Sequence, residues 1–179
     1  MSNLTTRLTG AINALKHEFA GLRTGRASPA LLENVMVEAY GAPMPINQVG
    51  TITAAEARLL TVNVWDKGLV AAVEKAIRDA GLGLNPSADG QLVRVPLPEL
   101  NEQRRQELVK LARKAAEDSR IAIRNIRRDG MDTIKKDKDE GLGEDDAKRE
   151  MEAVEKEIEG FIKQVDELLT LKEKDITTL

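Results

Sequence analysis

The sequence predicts an α+β protein: an elongated, antiparallel three-helix bundle into which a small β/α/β domain is inserted. Near the N-terminus and again over residues 101–179, apolar residues recur every three or four positions, as on one face of a helix. Residues 31–95 are instead rich in β-branched side chains interrupted by glycine and proline, which is typical of short strands and turns. No single helix can bury its apolar face alone, so we expect the helices to pack together.

The first predicted helix covers residues 3–24. It ends before Gly25 and Pro29, because glycine and proline commonly stop a helix. Its apolar stripe consists of Leu4, Leu8, Ile12, Leu15, Phe19 and Leu22.

The middle segment is predicted to contain one helix, residues 69–80, which stops at Gly81. Runs of β-branched and large apolar residues on both sides of this helix predict strands at residues 35–40, 51–53, 59–65, 82–85 and 91–95. Together these elements form the inserted β/α/β domain.

Two long helices complete the chain. Asn101 is predicted to cap the first of them, which runs to about Lys138 and is followed by a turn at Asp139–Gly143. The second begins with three acidic residues, which the helix dipole favours at that end. Its seam steps alternately by four and three through Ala147, Met151, Val154, Ile158, Phe161, Val165 and Leu168.

This pattern predicts a discontinuous bundle of residues 1–26 and 101–179, with residues 31–95 as the inserted domain. The two connections, residues 27–30 and 96–100, must then run side by side as a double linker. Proline limits the freedom of both connections, so we expect a hinge formed by Ala27, Ser28, Pro29, Pro96, Leu97 and Pro98.

The composition leaves little basis for an enzyme. The 179 residues include no cysteine and one histidine, so neither a thiolate site nor a Ser/His/Asp or Cys/His set is available. No glycine-rich segment is followed by the Gly-Lys-Ser/Thr of a phosphate loop. We therefore expect no catalytic residue, cofactor or metal. The N-terminal segment lacks the apolar core of a secretory signal, so the expected location is the cytoplasm.

Charge is distributed unevenly. The chain has 27 basic and 30 acidic residues, but its segments differ strongly. Residues 1–26 and 101–138 carry net charges of +3 and +5, whereas residues 27–100 and 139–179 carry −3 and −8. Such asymmetry steers a polyanion towards one face of a protein.

The basic residues of the first long helix form a row. At roughly 100° per residue, Arg113, Arg120, Arg124 and Arg127 fall within an arc of roughly 60°, with Lys110, Arg128 and Lys135 at its edge. On the same helix the carboxylates that would pair with this row are mostly absent, Glu117 being the exception. Because guanidinium groups suit phosphate, the row predicts a surface for folded RNA. The interpretation requires these guanidinium groups to face outward, and it would fail if they were held in intramolecular carboxylate pairs.

Four segments together resemble the bacterial ribosome recycling factor (ribosome-releasing factor) family: Leu22–Leu32 (LRTGRASPALL), Gly81–Pro86 (GLGLNP), Val93–Pro98 (VRVPLP) and Arg120–Asp129 (RIAIRNIRRD). The resemblance implies an L-shaped molecule without catalytic activity. It implies binding to the ribosome after termination and, with elongation factor G and GTP hydrolysis, separation of the subunits. It also implies that the small domain is the part associated with elongation factor G.

The resemblance implies contacts between the bundle and large-subunit ribosomal RNA at Arg23, Arg26, Arg104, Arg105, Arg124, Arg127 and Arg128. With the other members of the row, the predicted RNA-binding set also includes Lys110, Arg113 and Arg120. The expected partners are the ribosome and elongation factor G, with no membrane, and the chain is expected to be a monomer.

A coiled-coil adaptor or chaperone remains the alternative. It predicts an apolar stripe left exposed in the monomer and binding that does not depend on salt, whereas an RNA-binding surface predicts steep salt dependence.

Overall fold

The computed structural model of the protein describes residues 2–178 and confirms the α+β class. The ends of the predicted bundle, residues 1 and 179, lie outside the described residues. The helices are α1 (Ser2–Ala20), α2 (Ala30–Glu33), α3 (Val70–Asp79), α4 (Glu102–Asp139) and α5 (Glu144–Thr177). The strands are β1 (Met36–Ala39), β2 (Ala42–Pro45), β3 (Gly50–Glu56), β4 (Leu59–Val64), β5 (Ser87–Asp89) and β6 (Leu92–Pro96).

The chain divides into two compact units. One contains the described residues up to Phe19 together with Val109–Lys174, and we call it the helical unit. The other contains Ala20–Leu108 and the described residues from Asp175 onwards, and we call it the sheet unit. No helix among residues 2–178 has both the length and the apolar character that crossing a membrane requires.

The helical unit buries one apolar stripe from each of α1, α4 and α5. In α1 the buried residues include Leu8, Ile12 and Leu15, which match the predicted stripe. The seams of the other two helices are buried at Ala112, Ala116, Ile123, Ile126 and Ile134 in α4, and at Ala147, Val154, Ile158 and Val165 in α5. The exposed apolar stripe that a coiled-coil adaptor predicts is therefore occupied within the chain.

The start of α4 is capped as predicted. The Asn101 side-chain oxygen accepts a hydrogen bond from the Arg104 backbone N–H at 2.7 Å, which satisfies one of the free N–H groups at a helix start. The predicted turn between α4 and α5 is also present, and Gly141 lies within it at φ +118°.

Gly160, in the interior of α5, provides a stability prediction. No atom lies within 4 Å of the position that a Cβ would take there. Because alanine is less flexible than glycine in the unfolded chain, Gly160→Ala should raise the free energy of unfolding by about 0.5–1 kcal/mol in urea titrations. The contrasting variant is Gly50→Ala, whose Cβ would lie 2.7 Å from the Asn63 carbonyl oxygen and should lower it. A lower free energy of unfolding for Gly160→Ala would contradict the prediction.

The sheet unit contains two antiparallel sheets and α3. Strands β1 and β2 form a hairpin, and the other four strands form a sheet in the order β3-β4-β6-β5. Helix α3 contacts β1 as well as β5 and β6. Its buried residues Val73 and Ile77 belong to one core that also contains Val37 from the hairpin and Val62 from the four-stranded sheet. The helix therefore shares its core with both sheets.

Two sequence predictions for this unit were wrong. No strand forms at residues 82–85; the strand lies further on, at Ser87–Asp89, because Gly81 and Gly83 take left-handed φ values of +75° and +71°. The structure also contains β2, which was read only as turn residues because of its prolines. Proline is tolerated here because β2 pairs only with β1 and forms an edge.

Candidate nucleic-acid interface

The predicted row of basic residues lies on one exposed face of α4. Between 46% and 64% of the side-chain surface of Arg113, Arg124 and Arg127 is exposed, whereas Arg120 is more covered, at 21%. The buried seam of α4, which includes Ile123 and Ile126, fixes this orientation of the helix. The structure therefore brings these four guanidinium groups together as one surface.

The row has carboxylate partners on a different helix, which its own sequence could not show. Helix α5 supplies them, since Arg113 Nε lies 2.7 Å from Glu173 Oε1 and Arg120 Nη2 lies 2.7 Å from Asp166 Oδ1. Arg127 donates two hydrogen bonds to Glu155, one of them from Nε at 2.9 Å.

Glu117, on α4 itself, adds further pairs. It lies 3.3 Å from both Arg120 and Arg124. The row is therefore a strip of ion pairs as well as a set of cations. The interpretation of these four arginines as a row of free, outward-facing cations is therefore wrong.

The pairs favour the charged forms of their members. The hydrogen bond to Glu155 raises the pKa of Arg127, and the same bond lowers the pKa of the Glu155 carboxyl. The hydrogen bond to Asp166 likewise raises the pKa of Arg120. All these groups are therefore charged near neutral pH. Because ion pairs at an exposed surface contribute little net stability, a phosphate group can replace the carboxylate at little cost.

Three cations at the edge of the row have no carboxylate partner among residues 2–178. These are Lys110, Arg128 and Lys135, and all three are exposed. Arg128 and Lys135 line a shallow cavity of about 430 Å³ together with Arg124 and Arg127. The side chains of Met131 and Met151 also line it, and sequence reasoning did not include them. Asp132 lines the cavity too, so its four cations share it with one carboxylate.

Arg23 has a different environment from the row. It lies in the sheet unit and only 7% of it is exposed. Its Nη2 donates to the Pro98 carbonyl oxygen. Burial, followed by the charges of Arg104 and Arg58, lowers the pKa of Arg23. Such a covered side chain suits a role in holding the chain at Pro98 better than contact with an external phosphate.

The other predicted cations of the sheet unit are more accessible. Arg26 is exposed, and Arg104 is partly covered with Nη1 3.0 Å from Glu107 Oε2. Arg105 is also partly covered, and its Nε is buried without a hydrogen-bond partner.

The predicted hinge segments are hydrogen-bonded to the sheet. The Ala27 N–H donates to the Ala57 carbonyl at 2.8 Å, and the Leu97 N–H donates to the Arg58 carbonyl at 2.7 Å. The two connections are therefore held by adjacent residues, one each, which lie between β3 and β4. Sequence reasoning did not identify Ala57 and Arg58, since nothing in their own residue types marks them.

Nothing in the described part of the chain identifies a reaction. Among residues 2–178 there is no group of three or more histidine, cysteine or acidic side chains that could hold a metal ion. A cavity of about 550 Å³ in the sheet unit lies beside α3 and β1 and is largely apolar, with Glu38, Lys75 and Asp79 in its lining. None of the groups with a shifted pKa lines it.

Comparison with known proteins gives consistent matches over nearly the whole chain. The family model described as ribosome recycling factor matches residues 15–177. The ribosome-recycling factor of Granulibacter bethesdensis is 59% identical over 97% of this chain and 93% of its own length. That of Beijerinckia indica subsp. indica is 55% identical over 98% of this chain and 95% of its own length.

Solved structures agree with the sequence matches. A solution structure of the ribosome recycling factor superposes with a TM-score of 0.80 at 42% identity, covering 99% of this chain and 95% of that one. A second structure consists of models for the T. thermophilus ribosome recycling factor and the E. coli elongation factor G bound to the E. coli post-termination complex. It superposes with a TM-score of 0.69 at 45% identity, covering 98% of this chain and 95% of that one. With the matched residues and the identities to its relatives, these structures establish that the chain belongs to the ribosome recycling factor family.

Proposed function

We propose that this chain is a non-enzymatic translation factor that binds the post-termination ribosome and, with elongation factor G and GTP hydrolysis, separates it into subunits. Its family supports this, as does its similarity to a recycling factor described with elongation factor G on a post-termination complex. The energy must come from the GTPase, because this chain carries no nucleotide-binding motif. The proposed location is the cytoplasm, and the chain is proposed to act as a monomer.

The observation that carries the proposal is a set of three exposed cations without carboxylate partners among residues 2–178, beside the ion pairs on α4. These cations, Lys110, Arg128 and Lys135, would contact ribosomal RNA phosphates directly. The four paired arginines, Arg113, Arg120, Arg124 and Arg127, would exchange their carboxylate partners for phosphate. Because only four residues of the chain are aromatic, recognition would depend on phosphate and RNA shape more than on base stacking.

The sheet-unit arginines divide into two groups in this proposal. Arg26, Arg104 and Arg105 remain candidates for RNA contact on the basis of the family resemblance. Arg23 is assigned a structural role instead, because it is buried and bound to the Pro98 carbonyl.

The predicted division into a bundle and an inserted domain forms part of the proposal. Residues 1–26 and 101–179 would carry the RNA contacts, and residues 31–95 would meet elongation factor G. The connections 27–30 and 96–100 would allow limited rotation of the inserted domain, and the prolines in both would restrict its direction.

Sedimentation of post-termination ribosomes tests the function directly. Free subunits should appear only when this chain, elongation factor G and GTP are all present, and not when a non-hydrolysable GTP analogue replaces GTP. Release without this chain, or no release with all three components, would contradict the proposal.

Salt dependence tests the surface separately. The logarithm of the ribosome-binding constant should fall linearly with the logarithm of salt concentration, with a slope of roughly −0.7 to −0.9 for each phosphate contacted. A slope near zero would favour a protein-binding adaptor instead.

The carboxylate pairs allow a further prediction. Glu155→Gln removes the charge that neutralises Arg127 without changing the shape of the side chain appreciably. We expect ribosome binding at low salt to become tighter by about twofold to fivefold, since no pair must be broken to contact phosphate. The matched control is Glu159→Gln on the same helix, because Glu159 pairs with no arginine among residues 2–178. Weaker binding by Glu155→Gln would mean that the pair itself shapes the surface.

A further inference from the structure

Four carboxylates accompany the arginines of the row, and the proposed RNA contact gives them no part. Between 29% and 56% of the surface of each of these side chains is exposed, so core packing does not explain them. All four belong to the helical unit. We call them the carboxylate strip, and its members are Glu117 on α4 and Glu155, Asp166 and Glu173 on α5.

Each arginine of the row has an acceptor in this strip. Arg113 and Arg120 each lie 2.7 Å from a carboxylate oxygen on α5, and Arg127 donates two hydrogen bonds to another carboxylate of that helix. Glu117 places one oxygen 3.3 Å from Arg120 and the other 3.3 Å from Arg124. The strip therefore offers each guanidinium group the same kind of charged acceptor that a phosphate offers.

The stability of the fold does not explain the strip. Exposed ion pairs contribute little to the free energy of unfolding, and the long helices are already held by their buried seams. For a surface that binds RNA, however, the pairs weaken binding, because each must open before its arginine can contact a phosphate. Pairs that weaken binding are useful where a complex has to come apart again.

We propose that the carboxylate strip speeds the dissociation of this chain from ribosomal RNA once the subunits have separated. When an arginine loosens from a phosphate, its carboxylate lies within reach and takes the place of that phosphate, so the contacts are lost one at a time. An acceptor on the same chain acts at a high and constant effective concentration, which a free anion does not. The inference rests on the proposed function, because it concerns the step that follows subunit separation.

The cations at the edge of the row complete this division of roles. Lys110, Arg128 and Lys135 have no carboxylate partner among residues 2–178, so they attract phosphate without opening a pair. Differences in affinity between closely related complexes arise mostly in the dissociation rate. The association rate therefore depends mainly on these three cations, whereas the time spent on the ribosome depends on the four paired arginines.

The test uses the full chain with the whole strip neutralised, as Glu117→Gln, Glu155→Gln, Asp166→Asn and Glu173→Gln together. Its dissociation from large ribosomal subunits, followed by stopped flow with a fluorescent dye on the chain, should slow by about tenfold to a hundredfold. Glu155→Gln alone should slow it by about twofold to fivefold. With ribosomes in large excess, subunit release should fall behind that of the unaltered chain after the first round. A single round with the chain in excess should keep its rate.

The matched control neutralises four exposed carboxylates elsewhere in the same unit, as Asp118→Asn, Asp139→Asn, Glu140→Gln and Glu167→Gln. None of them pairs with an arginine in the described part of the chain, and both variants change the net charge equally. The control should dissociate at about the rate of the unaltered chain, and the two variants should associate with large subunits at equal rates.

Three results would overturn the inference while leaving the proposed function intact. Equal slowing of dissociation in both variants would assign the effect to overall charge. Unchanged dissociation of the neutralised strip would show that its pairs do not compete with phosphate. A slower single round of subunit release would mean that the carboxylates act before separation and not after it. If the unaltered chain releases no subunits, the proposed function itself fails.

Discussion

Changing Arg128 to glutamate is expected to weaken binding to the ribosome by about tenfold to a hundredfold at low salt, because it replaces a phosphate contact with repulsion. Arg128 is exposed, and no carboxylate pairs with it in the described chain. The substitution therefore breaks no intramolecular ion pair, and the free energy of unfolding should hardly change. Sedimentation with ribosomes at several salt concentrations measures both the loss of affinity and the shallower salt slope.

The control for Arg128→Glu is Lys136→Glu, which makes the same change of charge on α4 outside the row. At roughly 100° per residue, Lys136 lies far from the row, yet it is also exposed. Equal losses of ribosome affinity for the two variants would mean that overall charge, and not this surface, drives binding. No loss for Arg128→Glu would remove Arg128 from the proposed interface.

The position of the row could be predicted from sequence, whereas its ion pairs could not. Helix geometry alone determines which residues of α4 share a face, and the buried seam determines which side that face is on. The partners Glu155, Asp166 and Glu173 lie on α5, however. As the partner on α4 advances from residue 113 to 127, the partner on α5 falls from 173 to 155, as in antiparallel helices. That register depends on the packing of two helices and cannot be read from either one.

The inserted domain was predicted less well than the bundle, for a related reason. Long periodic stripes identify helices reliably, because many residues repeat the same signal. The strands are short, and their pattern is easily overridden by glycine or proline. Leu82 and Leu84 resemble a strand, but the left-handed backbone at Gly81 and Gly83 prevents extension. In β2, Pro43 and Pro45 resemble a turn, but the edge position of the strand accommodates them.

Arg23 shows that the accessibility of a site residue could not be predicted from the sequence. Its sequence context groups it with phosphate-binding arginines, and only the packing of the sheet unit reveals that it is buried against the Pro98 carbonyl. Residue type and family resemblance indicate which side chains are chemically suited to a task. Accessibility, which decides whether a partner can reach them, is a property of the folded chain.

Ile77→Ala should strongly destabilise the sheet unit, lowering its free energy of unfolding by about 2–5 kcal/mol. Ile77 lies on α3, is fully buried, and shares a core with residues of both sheets. Removing its side chain leaves a cavity that neither sheet can fill without losing contact with α3. Urea unfolding followed by the fluorescence of Trp65 reports on this unit, because Trp65 is the only tryptophan and adjoins β4.

Lys75→Ala is the appropriate control, since Lys75 is on the same helix but exposed, and alanine favours the helix equally well. Its unfolding midpoint should match that of the unaltered chain.

Far-ultraviolet circular dichroism at the same urea concentrations reports mainly on the long helices α4 and α5, which contribute most of the helical residues. Ile77 belongs to a core made only of sheet-unit residues. The urea midpoint measured by Trp65 fluorescence should therefore fall further than the midpoint measured by circular dichroism. If both transitions moved together, unfolding of α3 and its two sheets would be coupled to that of the long helices, and the free energy measured for Ile77→Ala would belong to the whole chain.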